Sequence, residues 1–63
     1  MNPSLDDLKL VRDITIKLRL LEERSISHMS IGNMSRIREA NRRIDAYTFV
    51  IADLSQRINK APV

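Results

Sequence analysis

The stretch "IREANRRIDAYTFVIADLSQRI", residues 37–58, has the most regular pattern in the chain. Apolar residues recur in it at alternating intervals of three and four positions, which is the spacing of an apolar seam along one side of an α-helix. The seam extends to Ala61, and Pro62 is the predicted stop. The pattern predicts a long helix whose core seam is Ile37, Ala40, Ile44, Tyr47, Ile51, Leu54 and Ile58.

Tyr47 and Phe49 are the chain's two aromatic residues, and they lie two positions apart in this helix. At about 100° per residue, Phe49 falls roughly 160° from Tyr47 around the helix axis. Tyr47 therefore belongs to the seam, with a hydroxyl that needs a polar partner or water. Phe49 is predicted to lie on the outer face.

The first half of the sequence predicts another helix. Ser4 is a candidate N-cap, and Asp6 and Asp7 fall in the first turn, where carboxylates complement the helix dipole. A 3-4-3 spacing beyond them predicts a second core seam. This seam is Val11, Ile14, Leu18 and Leu21.

Gly32 is the only glycine and indicates a turn between the two helices, because glycine adopts the left-handed conformation that ends many helices. Asn33 or Ser35 could cap the next helix. We predict helices over about residues 5–29 and 34–60, joined by a turn at about 30–33. The alternative ends the first helix near Arg24, before a serine-rich loop. The predicted fold is all-α, a single antiparallel two-helix hairpin domain.

A chain of 63 residues buries a small core, and this one has neither cysteine for a disulfide nor a set of metal ligands. No cofactor is predicted, so oligomerisation is the remaining means of stabilisation. Four apolar residues fall outside the predicted seams and form a candidate interface. They predict a homodimer that pairs two hairpins into a four-helix bundle; alternatively, the isoleucine seam itself mediates the dimer. The four are Leu5, Ile16, Leu20 and Phe49.

The net charge is +3, and the basic excess lies in the second half of the chain. Four arginines at the start of the second helix are candidate contacts for an acidic protein or for phosphate, although such a cluster is often only solvated. In an antiparallel register, some basic positions of this helix would face Lys17 and Arg24, like against like. The four are Arg36, Arg38, Arg42 and Arg43.

The sequence predicts no enzyme. His28 lies among serines near the turn without an acid to orient it, and adjacent carboxylates such as Glu22 and Glu23 point in different directions on a helix. The longest apolar run is far shorter than the roughly 18 residues of a membrane span. We expect a soluble, cytoplasmic protein that does not enter membranes.

The stretches "PSLDDLKLVRDITIKL" (3–18) and "NRRIDAYTFVIADLSQRI" (41–58) resemble the small early proteins encoded between the recombination and excision genes of lambda-like temperate bacteriophages. This resemblance implies a nonessential helical protein of the infected bacterium that influences lytic versus lysogenic development. The hairpin pattern is also similar to co-chaperones of type III secretion needle subunits, which need a dedicated partner.

The predicted function is a small regulatory protein-interaction module that binds a host or phage protein. A nucleic-acid-binding regulator that uses the arginine-rich start of the second helix is the alternative from another class. A stable homodimer would argue against the type III co-chaperone hypothesis. DNA binding that weakens steeply as the salt concentration rises would favour the nucleic-acid hypothesis.

Overall fold

The computed structural model describes residues 4–60, which form two helices folded back on each other. Helix α1 spans Leu5–Ser27, and helix α2 spans Met34–Lys60. A 3-10 turn, Ile31–Asn33, leads directly into α2. Residues 4–60 contain no strand, so the predicted all-α hairpin is confirmed. Ala61 and Pro62, the predicted end of the seam, lie outside the described residues.

The start of α1 is fixed by a reciprocal pair of hydrogen bonds. The backbone N–H of Asp7 donates to Ser4 Oγ at 3.2 Å, and the backbone N–H of Ser4 donates to the Asp7 carboxylate at 3.3 Å. This capping box satisfies two backbone donors that a helix start leaves without partners.

The helix ends at Ser27, between the two boundaries that the sequence suggested, and His28 closes it in a right-handed conformation. The expectation of a left-handed glycine in the turn was wrong. No residue among 4–60 has a positive φ, and Gly32 lies inside the 3-10 turn, whose Asn33 N–H donates to the Ser30 carbonyl at 3.0 Å. The chain reverses through a right-handed His28, an extended Ser30 and the 3-10 turn.

One face of α2 is turned toward α1. Ala40 is fully buried and Leu54 is 8% exposed, and the residues spaced between and beyond them are half-buried. The buried face is the one that the 3-4 spacing predicted, because α2 has one dominant apolar row and charged residues elsewhere. The half-buried members are Ile37, Ile44, Tyr47, Ile51 and Ile58.

The predicted seam of α1 does not face α2, and that assignment was wrong. Val11, Ile14, Leu18 and Leu21 are 41–59% exposed. The buried or half-buried row of α1 is instead Leu8, Arg12, Thr15, Arg19, Glu22 and Ile26.

The difference arises because apolar residues occur on three sides of α1. On a helical wheel, Leu8 and Ile26 share one direction, the predicted seam lies about 100° to one side, and Ile16 with Leu20 lies about 100° to the other. Spacing alone therefore does not decide which side meets α2. The structure selects a mixed row with Thr15 at its centre, where a small side chain lets the helices approach.

The hairpin is long and thin. Its extents are 50 × 19 × 14 Å and its Cα radius of gyration is 14.6 Å, whereas a compact chain of this length has about 10.6 Å. Among the described residues, no large side chain is fully buried. The contact between α1 and α2 therefore covers only part of the apolar surface.

Candidate functional site

The main feature of the surface is an exposed row on α1, here called the apolar stripe, made of Val11, Ile14, Leu18 and Leu21. The members follow the 3-4-3 spacing of a coiled-coil seam and extend over about 15 Å of helix. The sequence predicted the spacing of these residues but not their exposure. They have the spacing of a helix–helix contact, although α2 packs on another side of α1.

Among the described residues, one ion pair joins the two helices and marks the register of the hairpin. Arg43 Nε donates to Glu22 Oε1 at 2.7 Å, and Arg43 Nη2 donates to Glu22 Oε2 at 3.2 Å, which is a bidentate contact between the two helices. The hydrogen bond with Glu22 raises the pKa of Arg43. The expected like-charge contact between the helices is thus wrong at Arg43, which faces an acid.

This register continues the apolar surface onto α2. Because the helices are antiparallel, the residue seven positions before Glu22 and the residue seven positions after Arg43 lie at the same height along the hairpin. These residues are Thr15 and Val50. Val50 is exposed and lies on the same flank of the hairpin as the Glu22–Arg43 pair and the apolar stripe. The exposed apolar surface therefore has a major part on α1 and a smaller part on α2.

Polar side chains occupy the inner row of α1. The Thr15 hydroxyl donates to the Val11 carbonyl at 2.7 Å, so its burial leaves no unpaired donor. Arg19 Nε is buried without a hydrogen-bond partner, and Glu23 Oε1 lies 3.7 Å from it. The inner contact is more polar than the outer stripe, which is the reverse of an ordinary amphipathic helix.

The structure does not bring the four predicted interface residues together. Leu5, Ile16 and Leu20 lie on the flank of α1 away from the apolar stripe, and Ile16 is half-buried. Phe49 is 75% exposed on the outer face of α2, where Asp45 and Asp53 are its neighbours one turn away. Phe49 is an isolated exposed aromatic residue and does not share a surface with the other three.

The four candidate arginines also divide. Arg43 is held by Glu22, while Arg36, Arg38 and Arg42 are exposed and form no ion pair with the residues that the structure describes. Arg38 and Arg42 are one turn apart, and Arg42 lies two turns from Phe49 on the outer face of α2. Arg36 points in another direction on the wheel.

A shallow depression of about 290 Å³ lies beside the apolar stripe, lined by Lys17, Leu20, Leu21 and Arg24. All four residues belong to α1, and the depression lies between the apolar stripe, at Leu21, and the flank that carries Leu20. Within residues 4–60 there is no group of three or more potential metal ligands and no helix long and apolar enough to cross a membrane.

The sequence did not predict that Glu22 pairs with Arg43 across the two helices. Glu22 is one of several charged residues along α1, and nothing in their pattern distinguishes it. Comparisons with protein-family models, with curated proteins and with solved structures find no match to this chain. Its function is therefore inferred from its own surfaces.

Proposed function

We propose that the chain is a non-enzymatic protein-interaction module that binds a helical partner through the apolar stripe of α1. The exposure of four aliphatic side chains at coiled-coil spacing is the observation that carries this proposal. Contiguous apolar rows of this kind are typical of contact surfaces, whereas isolated exposed leucines are ordinary.

The energetic argument follows from the area that a partner helix would cover. Complete burial of one leucine or isoleucine side chain contributes about 1.5–3 kcal/mol relative to exposure. Leu18 and its three companions are already about half covered, so the remaining gain is several kcal/mol for the stripe as a whole. An amphipathic helix laid along the stripe would realise that gain through residues at the same spacing.

A second surface fits the capture of a regulator. Phe49 is the most exposed large apolar residue among those described, and on the outer face of α2 Arg42 lies two turns before it and Arg38 three turns before it. Aromatic residues and arginine are both enriched in binding hot spots. We propose an acidic host or phage regulatory protein as its partner, in the bacterial cytoplasm. The resemblance to small early phage proteins supports a role in lytic versus lysogenic development.

Leu18→Asp is expected to lower association more than tenfold without unfolding the chain. The carboxylate would have to be buried in the partner contact, which costs more than the 1.4 kcal/mol that corresponds to a factor of ten. Affinity recovery from bacterial lysate and the mass in solution, measured together with far-UV circular dichroism, check this expectation.

Leu20→Asp is the matched control, because Leu20 is comparably exposed but lies off the stripe. It is expected to keep association. Phe49→Asp should lose the regulator while leaving the contact at the stripe intact. If Leu18→Asp retains every association of the wild type, the stripe is not the binding surface.

A nucleic-acid-binding regulator is the second candidate, favoured by Arg38 and Arg42, which share one exposed face and form no ion pair with the described residues. Two phosphate contacts predict that the logarithm of the binding constant for duplex DNA falls with the logarithm of salt concentration with a slope of about −1.8. Replacing Arg38 and Arg42 together by glutamine should remove most of that slope. Absence of binding at low salt would rule out this function.

A further inference from the structure

We infer that the helix covering the apolar stripe is α1 of a second copy of this chain, in an antiparallel dimer with a two-fold axis perpendicular to the helices. The inference rests on the proposed function, since it names the partner of the same surface. Its support comes from the area left exposed and from two charge patterns that are complementary to themselves.

The exposed area matches what such a dimer needs. The hairpin exposes 5268 Å² for a mass of 7.3 kDa, about 1,100 Å² more than the roughly 4,200 Å² of a compact monomer of that mass. A standard interface covers about 800 Å² on each partner. One further copy in an interface of that size is therefore sufficient to cover most of the excess.

A row of charges on the side of the stripe away from α2, centred about 100° from the centre of the stripe, changes sign along α1. Asp6, Asp13, Lys17 and Arg24 share one row of the wheel, within about 40° of each other, and all four are exposed. The row reads acidic, acidic, basic, basic from the start of α1 to its end. Turned end for end, it places Asp6 opposite Arg24 and Asp13 opposite Lys17.

The apolar stripe has the same symmetry. End-for-end pairing places Val11 opposite Leu21 and Ile14 opposite Leu18, with the midpoint at residue 16. The charged row has its midpoint at residue 15, about 1.5 Å away along the helix. Both patterns are therefore satisfied by almost the same two-fold axis.

Helix α2 repeats this arrangement on the same flank of the hairpin. Glu39 and Arg57 lie in one direction on the wheel, with Ala46 and Val50 between them, and both pairs have their midpoint at residue 48. The Glu22–Arg43 ion pair brings residue 48 opposite residue 17 of α1. One axis thus passes through the self-complementary centres of both helices to within about 3 Å.

A parallel dimer fails on the same charges. It would place Asp6 against Asp6 and Arg24 against Arg24, and like charges in contact oppose association. A contact through the α2 seam would first have to separate α2 from α1. The antiparallel arrangement keeps each hairpin intact and produces a four-helix bundle in which neighbouring helices run in opposite directions.

Charge reversal tests the pairing at low salt, where surface charges are least screened. Asp6→Lys with Asp13→Lys makes the row entirely basic, and Lys17→Glu with Arg24→Glu makes it entirely acidic. Wild type is expected at about twice the chain mass of 7.3 kDa, and each double variant alone at about that mass. Equal amounts of the two variants, mixed, should recover the doubled mass.

A lysine at position 6 also opposes the helix dipole, so a double variant could lose the dimer because it unfolds. The mixture distinguishes unfolding from charge repulsion. Recovery on mixing, with restored helical circular dichroism, shows that each variant chain remains competent. The variant with all four changes has the reversed order, basic to acidic, and is also expected to dimerise.

Engineered cysteines test the direction, since the chain has no cysteine of its own. Antiparallel pairing brings position 11 of one copy to position 21 of the other, so a mixture of Val11→Cys and Leu21→Cys chains should form a disulfide. In Leu21→Cys alone, the two sulfurs belong to residues about 15 Å apart along the axis, too far for a disulfide. Efficient linking of Leu21→Cys to itself would overturn the antiparallel arrangement.

A monomeric wild type at millimolar concentration, or a dimer whose mass no charge reversal changes, would also overturn the inference. A monomer that still captures a helical protein, and loses it on Leu18→Asp, would refute the second copy and preserve the proposed function. A dimer abolished by Leu18→Asp supports both.

Discussion

Replacement of Leu54 with aspartate is expected to unfold the chain. Leu54 is 8% exposed and, with Ala40, is one of the two buried apolar residues among those whose burial the structure describes. The change removes about 2 kcal/mol of apolar burial and forces a carboxylate into the contact between the helices. A core of this size supplies about 3–5 kcal/mol at most. Far-UV circular dichroism at 25 °C should therefore lose most of its helical signal.

Phe49→Asp is the matched control in the same helix. Phe49 is 75% exposed, so its replacement removes almost no buried surface, and we expect the helical signal to change little. A folded Leu54→Asp chain, or an unfolded Phe49→Asp chain, would mean that the inner face of α2 is assigned to the wrong side.

The sequence predicted α2 well because a single physical requirement governs it. Its apolar residues form one row and its charges occupy the remaining surface, so only one rotation about the helix axis buries the row. The helix count and the hairpin topology follow from the two periodic segments and the short connection between them. The start of α1 was also readable, since Ser4 and Asp7 stand at the spacing of a capping box.

The rotation of α1 could not be predicted in this way. Its apolar residues face three directions, and local spacing contains no information about which of these α2 occupies. The observed rotation brings together residues that are far apart in the sequence, as in the bidentate Glu22–Arg43 pair, and buries the small Thr15 at the centre of the inner row. The seam pattern at Val11–Leu21 was real, but it marks a different contact from the one expected.

The rotation of α1 about its own axis determines both which residues meet α2 and which remain exposed. Because the mixed row with Thr15 and Glu22 meets α2, the more apolar row is left on the flank. A helix in a four-helix bundle has two neighbours and must present a contact surface to each. The two faces of α1 suit these roles, with the polar contact setting the register inside the hairpin and the apolar stripe left for the proposed second contact.

The close approach of α1 and α2 leads to a second large effect, at Ala40. This residue is fully buried near the turn end of α2, so the larger side chain of Ala40→Leu has no free space to enter. Overpacking of this kind costs about 1–3 kcal/mol, and a loss of 2 kcal/mol lowers the melting temperature of a small domain by about 8–16 °C. Thermal unfolding followed by circular dichroism measures the shift.

Ala52→Leu makes the same chemical change at an exposed position of the same helix, and alanine and leucine both favour helices. We expect its melting temperature to stay within about 4 °C of the wild type, because a change confined to the surface is worth about 0.5 kcal/mol or less. A leucine at position 40 that leaves the melting temperature unchanged would mean that the helices do not approach closely there. In the present packing of α1 on α2, the helices are in contact both at Glu22–Arg43 and at Ala40. A tolerated leucine at position 40 would therefore contradict this packing.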